Sequence, residues 1–128
     1  MKAKYIMTRD VVTARPNTPV RTAEKLLREH HISGMPVVDQ EGHVLGVFSL
    51  SDVLKKGKRK TVGELMTSPA ITADEDEAIE EVAALMATNN VNRIPIVREG
   101  RLVGIITRAD IVRYVASQHA WIESEERA

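Results

Sequence analysis

Glycine, a hydroxyl residue three positions on and an aspartate three further recur twice in this sequence, as Gly46, Ser49, Asp52 and as Gly104, Thr107, Asp110. Each series follows an apolar run and opens a helical pattern, so its hydroxyl stands where a helix begins. The first backbone N–H groups of a helix have no intrahelical partners and carry partial positive charge, which welcomes a phosphate. A carboxylate one turn on can accept hydrogen bonds from both hydroxyls of a ribose, as acidic residues do in dinucleotide-binding folds. Together these types at this spacing describe a ribose-phosphate cradle. Ser or Thr with an acid three residues later is also a capping box, which does no more than start a helix. Two occurrences at matching places, each with its glycine, favour ligand binding in addition to capping.

Those matching places belong to a general duplication. The chain matches itself at an offset of 59, Met7 and Thr8 falling on Met66 and Thr67, and Val12, Thr13, Ala14 on Ile71, Thr72, Ala73. Leu26 falls on Leu85, Ile32 on Val91, and Pro36, Val37, Val38 on Pro95, Ile96, Val97. One extra turn residue near Glu41 moves the offset to 58 and brings Gly42, Gly46, Ser49 and Asp52 onto Gly100, Gly104, Thr107 and Asp110.

The same elements are predicted in each copy. A short extended segment, around Val11 to Ala14 or Ala70 to Ala73, precedes a helix whose apolar face is Val20, Ala23, Leu27 or Ile79, Val82, Ala83, Met86. Thr18 ahead of Pro19, and Asp76 ahead of Glu77, are its predicted caps. Two apolar runs around a glycine turn then read as paired strands, Pro36 to Val38 with Val44 to Phe48, and Pro95 to Val97 with Leu102 to Ile106. Each proline is expected at the first strand position, where a missing donor is harmless. A closing helix starts near Ser51 or Ala109, the second being longer and running towards Trp121. This reading gives repeat 1 over 1–54, a basic linker over 55–60, repeat 2 over 61–116, and a helix end with a solvated, fraying acidic tail over 117–128.

Composition bounds what else the chain can do. At 128 residues it holds one compact core, and each half alone would be marginal, so the halves should fold against each other. Apolar residues are 43% but aromatics only 3%, so aliphatic packing carries the core. With no cysteine there are no disulfides, thiolate metal sites or thiol nucleophiles. No apolar run is long enough to span a membrane and Met1 to Lys4 begins no signal peptide, so a cytoplasmic location is expected. Residues 1–60 hold 12 Lys and Arg against 6 Asp and Glu, and residues 61–128 hold 6 against 12, so +6 faces −6. That split favours packing half on half and argues against a uniformly basic nucleic-acid surface.

Other clusters read as structural. His30, His31, His43 and His119 place no two imidazoles at zinc-motif spacing, and Asp74 to Glu77 suits a helix N-terminus better than a cation. The basic linker lacks the interleaved aromatics of a single-strand binder. No activated nucleophile, paired acid and base, or phosphate-binding loop of the Walker type is present, so no catalysis is expected.

The paired copies, with an apolar residue before each proline (Met35, Pro36; Ile94, Pro95) and the glycine, hydroxyl and aspartate series, resemble CBS domains, over roughly Ile6 to Tyr114. The resemblance implies an α/β (α+β) fold of tandem β-α-β-β-α repeats packed with pseudo-twofold symmetry into a stand-alone Bateman module. It implies two clefts that hold AMP, ADP, ATP, NAD or S-adenosylmethionine as a regulatory ligand, with no catalytic cofactor and no metal. It also implies that each cleft mixes the copies. One would combine Thr107, Arg108 and Asp110 with Val12, Ser33, Gly34 and Met35. The other would combine Ser49 and Asp52 with Ile71, Asn92, Arg93 and Ile94, the apolar members sandwiching a purine. Arg93 can set a guanidinium on a phosphate where its counterpart Gly34 cannot, and Arg108 can charge the first cleft. Arg93 as a solvated connector, and Arg108 as a partner of helix acids, are the plain alternatives. Two such modules commonly pair into a disc, so a homodimer is expected, and an unidentified protein partner would receive the signal. The competing functions are a dimerisation or interaction scaffold with degenerate sites and, further off, a nucleic-acid binder acting through the linker.

Overall fold

The computed structural model describes residues 1–55 and 60–127, without the side chains beyond Gln118. Lys56 to Arg59, the centre of the basic linker, lie outside the described residues. In chain order the elements are a 3-10 turn (Ala3–Tyr5), α1 (Val20–Glu29), β1 (Gly34–Val38), β2 (Val44–Ser49), α2 (Leu50–Val53), α3 (Val62–Leu65), β3 (Ala73–Asp74), α4 (Ile79–Asn89), β4 (Arg93–Arg98), β5 (Arg101–Thr107) and α5 (Arg108–Arg127).

The two apolar runs of each repeat pair as antiparallel hairpins, β1 with β2 and β4 with β5, each with one register shift, at Val37/Val38 and at Ile96/Val97. The extended segments add on the outer side in parallel: Ala14 bridges Val37, and β3 pairs Ala73 with Ile96. Pro36 and Pro95 are third in their strands, not first. Pro36 stands opposite Val47, yet its carbonyl accepts from Ala14 N–H at 3.0 Å, on the side away from β2. Its nitrogen faces the same way, towards an edge with a single bridge, so the hairpin ladder loses no donor.

The predicted helical faces are inward: Ala23 and Leu27 on α1, and Ile79, Val82 and Met86 on α4, are buried. The predicted caps are not used. α1 starts after Pro19 and α4 after Ala78, neither with a side-chain cap. Val20 N–H donates instead to the Lys60 carbonyl (2.9 Å) and Ile79 N–H to the Met1 carbonyl (3.0 Å), so a backbone oxygen from a distant segment satisfies each first turn. Thr18 Oγ1 accepts from Arg15 N–H, and Asp76 pairs with Lys2 and Lys4.

Those carbonyls belong to two crossing segments. Residues 1–8 lie on the second repeat: Ala3 N–H donates to Glu77, Lys4 N–H to Glu75, and Ala3 and Met7 join the core of Ile79, Val82, Ile94, Ile96 and Ile106. Residues 60–67 lie on the first repeat, Val62 N–H donating to Thr18 while Val62 and Leu65 join Leu27, Val37 and Phe48. The hairpin turns also meet symmetrically, Val44 N–H on the Gly100 carbonyl and Leu102 N–H on the Gly42 carbonyl. Burying a side chain such as Leu27, 1% exposed, stabilises by about 1.5–3 kcal/mol, so neither repeat keeps its full core without the other's leading segment. At the other end α5 continues through Arg127, past Trp121, where the acidic tail was expected to fray.

Candidate functional site

The pseudo-twofold packing leaves two clefts between the repeats, of about 420 and 440 Å³. The larger is lined by Thr107, Arg108 and Asp110 from the second repeat and by Val12, Ser33 and Gly34 from the first, with Thr8, Asp10, His31 and Arg113 around them. The smaller is lined by Ser49, Ile71, Asn92 and Arg93, with Thr67, Asn90 and Val47. Three residues, Ser33, Asn92 and Arg93, form a wall common to both.

Three expected residues stand elsewhere. Met35 and Ile94 are fully buried in the two hydrophobic cores, and Pro36 lines the larger cleft instead. β1 is buried along its whole length, so the residue before proline faces the core whichever way alternation is counted. Asp52 is 2% exposed and lines neither cleft.

The helix starts account for much of the hydroxyl and aspartate geometry. Ser49 N–H and Oγ donate to Asp52 Oδ2 at 2.9 and 3.2 Å, and Thr107 N–H and Oγ1 donate to Asp110 Oδ2 at 2.8 and 3.0 Å. Both are capping arrangements. Their second oxygens differ. Asp110 Oδ1 meets Arg113 at 2.6 Å, a side chain 72% exposed. Asp52 Oδ1 meets Lys55 Nζ at 2.8 Å and accepts from Thr67 Oγ1 at 3.3 Å.

The glycines serve the crossing segments. A Cβ at Gly104 would lie 2.5 Å from Met7 Sδ and 3.0 Å from the Thr8 carbonyl, and one at Gly46 would lie 2.6 Å from the Thr67 carbonyl. These positions are bare because another stretch of backbone passes over them, not because a phosphate does.

Arg93 lines both clefts, not the Ser49 cleft alone. Its Nη2 donates to Ser33 Oγ, and its guanidinium lies over Gly34, which lines only the larger cleft. Burial lowers its pKa from the ordinary guanidinium value, and it pairs with no carboxylate among the described residues. The larger cleft has three arginines, Arg93, Arg108 and Arg113, beside two carboxylates, Asp10 and Asp110, whereas among the described residues Arg93 is the one charged side chain lining the smaller. A half-buried cation that faces a cleft without an acid partner favours an anionic ligand there.

Sequence reasoning missed Thr8, Thr67, His31 and Asn90. The first two were available from the repeat as matching Met-Thr pairs; His31 and Asn90 also match, each just past a helix with φ near 52°. Away from the clefts, Asp39, Glu41 and His43 bring possible ligand atoms within 4.8 Å of one another, but Asp39 Oδ1 is occupied by the N–H groups of Glu41 and His43 and builds the β1–β2 turn.

The sequence profile of the CBS domain matches this chain twice, over residues 3–59 and 62–117. Among solved structures, the CBS domain pair of protein MJ0100, in complex with 5′-methylthioadenosine and S-adenosyl-L-methionine, is 35% identical with a TM-score of 0.84, covering 92% of this chain and 98% of that one. CBSX2 in complex with AMP, a protein of Arabidopsis thaliana, is 30% identical with a TM-score of 0.86, again covering 92% and 98%. Inosine-5′-monophosphate dehydrogenase of Methanocaldococcus jannaschii is 40% identical over 114 residues, 88% of this chain but 23% of that protein. L-aspartate semialdehyde sulfurtransferase of the same organism is 37% identical over 113 residues, 86% of this chain and 22% of that protein. The chain thus spans under a quarter of those two relatives.

Proposed function

We propose, from the premise that the chain belongs to the CBS domain family as a tandem pair, that it is a non-catalytic regulatory module holding an adenosine nucleotide in the Asp110 cleft. The observation that carries this reading is the half-buried guanidinium of Arg93, without an acid partner among the described residues, on the same wall as the Thr107–Asp110 helix start. Thr107 and the first N–H groups of α5 take a phosphate, assisted by Arg93 and Arg108. Asp110 turns its Oδ1 from Arg113 to the ribose diol, and Val12, Ile32 and Pro36 offer apolar surface to the purine. The binding of AMP, 5′-methylthioadenosine and S-adenosyl-L-methionine by similar proteins supports the adenosine part. Because each cleft is built from both repeats, ligand binding biases how they pack, which is the signal a partner reads.

A thermal-shift screen with AMP, ADP, ATP, NAD, S-adenosylmethionine and 5′-methylthioadenosine tests the reading. A ligand at about 100 times its Kd stabilises the fold by about 2.7 kcal/mol. No stabilisation by any member of that panel sinks it and leaves the interaction scaffold. Homodimer formation is part of the proposal, supported by exposed Leu50 and Leu54 at α2 and Val112 and Val115 on α5.

A further inference from the structure

Lys55 and Arg113 occupy equivalent places in the two repeats, each three residues past its aspartate, but hold their carboxylates differently. Lys55 Nζ sits 2.8 Å from Asp52 Oδ1 and donates to the Leu65 carbonyl at 2.9 Å, which ties it to α3 on the crossing segment. Thr67 Oγ1, also on that segment, donates to the same oxygen, while Ser49 takes the other. These four contacts occupy both oxygens and leave Asp52 2% exposed, although Lys55 itself is 44% exposed. Among the described residues Asp110 has no second-oxygen partner except Arg113, a 72% exposed side chain on the cleft wall that can swing away.

We infer that Lys55 withdraws Asp52 from ligand binding, so that each chain holds one complete ribose-phosphate site, the Asp110 cleft. The Ser49 cleft, whose described lining offers hydroxyls, amides and Arg93 but no carboxylate, is left to a ligand that makes no ribose-carboxylate contact. Lys55 is therefore a specificity residue, acting through Asp52 and not by touching the ligand. This inference rests on the nucleotide reading above.

Calorimetric titration of the whole chain with AMP tests it. The wild type takes up one AMP per chain. Asp52→Asn keeps AMP affinity within about two-fold, whereas Asp110→Asn loses roughly ten-fold or more, the effect of one charge-assisted hydrogen bond. Lys55→Met, which removes the charged partner and leaves Oδ1 only the Thr67 hydroxyl, gains a second and weaker AMP, and Lys55→Arg stays at one. Two AMP per wild-type chain, or equal losses in the two asparagine variants, overturns the inference and leaves the nucleotide reading standing. The wild-type count and Asp52→Asn decide the matter even if Lys55→Met fails to fold. No AMP uptake by the wild type overturns both.

Discussion

Thr8 and Ile105 exchange both backbone hydrogen bonds, each 2.9 Å long, although they belong to opposite repeats. Thr67 and Val47 repeat the exchange at 2.9 and 3.0 Å. One residue before each acceptor strand residue is a glycine, Gly104 or Gly46, over which the crossing segment lies. A methyl at either place strikes that segment, and at Gly46 the first atom met is the Thr67 carbonyl, which cannot move aside as a flexible side chain can. Gly46→Ala is expected to destabilise by about 1–3 kcal/mol. Gly104→Ala, which meets the flexible tip of Met7 first, should cost less. Urea denaturation of both variants measures this, and a Gly46→Ala protein as stable as wild type contradicts the packing argument.

Gly34 separates stability from binding. A Cβ there would strike Arg93 Nη1 and lie 2.9 Å from its Cζ, the far end of a flexible side chain. Gly34→Ala should therefore displace the guanidinium at a stability cost below that of Gly46→Ala, and lower affinity for AMP more than for adenosine. Arg93→Ala should do the same, with a loss of roughly ten-fold for AMP and a shallower dependence on salt. Equal losses for adenosine and AMP in both variants would remove Arg93 from phosphate binding.

Part of this arrangement is legible in the sequence because it repeats: the hairpins and the inward faces of α1 and α4 follow the 59-residue register, whereas the convergence of Val12, Ser33, Gly34, Thr107 and Asp110 on one cleft is what the resemblance to CBS domains implies. The crossing of residues 1–8 and 60–67 is not legible, since these segments are too short for a period and their partners are distant in sequence. That omission propagated. The sequence points to Thr18 and Asp76 as caps because it does not show the Met1 and Lys60 carbonyls, and it does not show that the motif glycines make room for Thr8 and Thr67. Met35 and Ile94 were misplaced because strands buried on both faces carry no alternation to say which side is the site. Asp52 and Asp110 look identical in sequence, and only the partners of their second oxygens distinguish them.

Acid should loosen the second repeat through Glu75. This carboxylate is 7% exposed and held by Arg98 Nε at 2.5 Å and Nη2 at 3.0 Å. Hydrogen bonds from Arg98 set its pKa below the ordinary 4.5, against the opposing effect of burial. A carboxyl depressed in the folded state binds fewer protons folded than unfolded. Its contribution to stability is complete above pH 4.5 and is lost as pH falls through the folded-state value. Asp76, lowered from the ordinary 3.8 mainly by its hydrogen bond from Lys4, acts in the same direction at lower pH. Thermal unfolding followed from pH 6 downward should show a shallower decline for Glu75→Gln than for wild type below about pH 4.5. Parallel curves would mean that the pair contributes nothing to acid sensitivity.

Leu50 and Leu54, four apart at α2, are 49% and 82% exposed, and Val112 and Val115, three apart on α5, are 61% and 44% exposed. Residues at those spacings share a helix face, so each repeat shows an apolar edge on its closing helix. A twofold pair of chains that joins these edges buries them, and closed pairing is the commonest symmetric solution. Light scattering at micromolar concentration should give the mass of a dimer. Leu54→Lys should return a monomer with stability changed by about 0.5 kcal/mol or less, because the side chain is exposed within one chain. Charge bears on orientation: residues 1–60 carry +6 and residues 61–128 carry −6, so a head-to-tail pair sets opposite signs together. Lys2 and Lys4 already meet Asp76 within the chain, which reduces the field left for a partner, and salt screens charges beyond about 8 Å. Orientation is read by placing one cysteine at Arg21 in one chain and one at Glu80 in another, both exposed positions. Head-to-tail pairing predicts crosslinks between unlike positions; crosslinks between like positions would reverse the orientation, and a monomeric wild type would remove the dimer altogether.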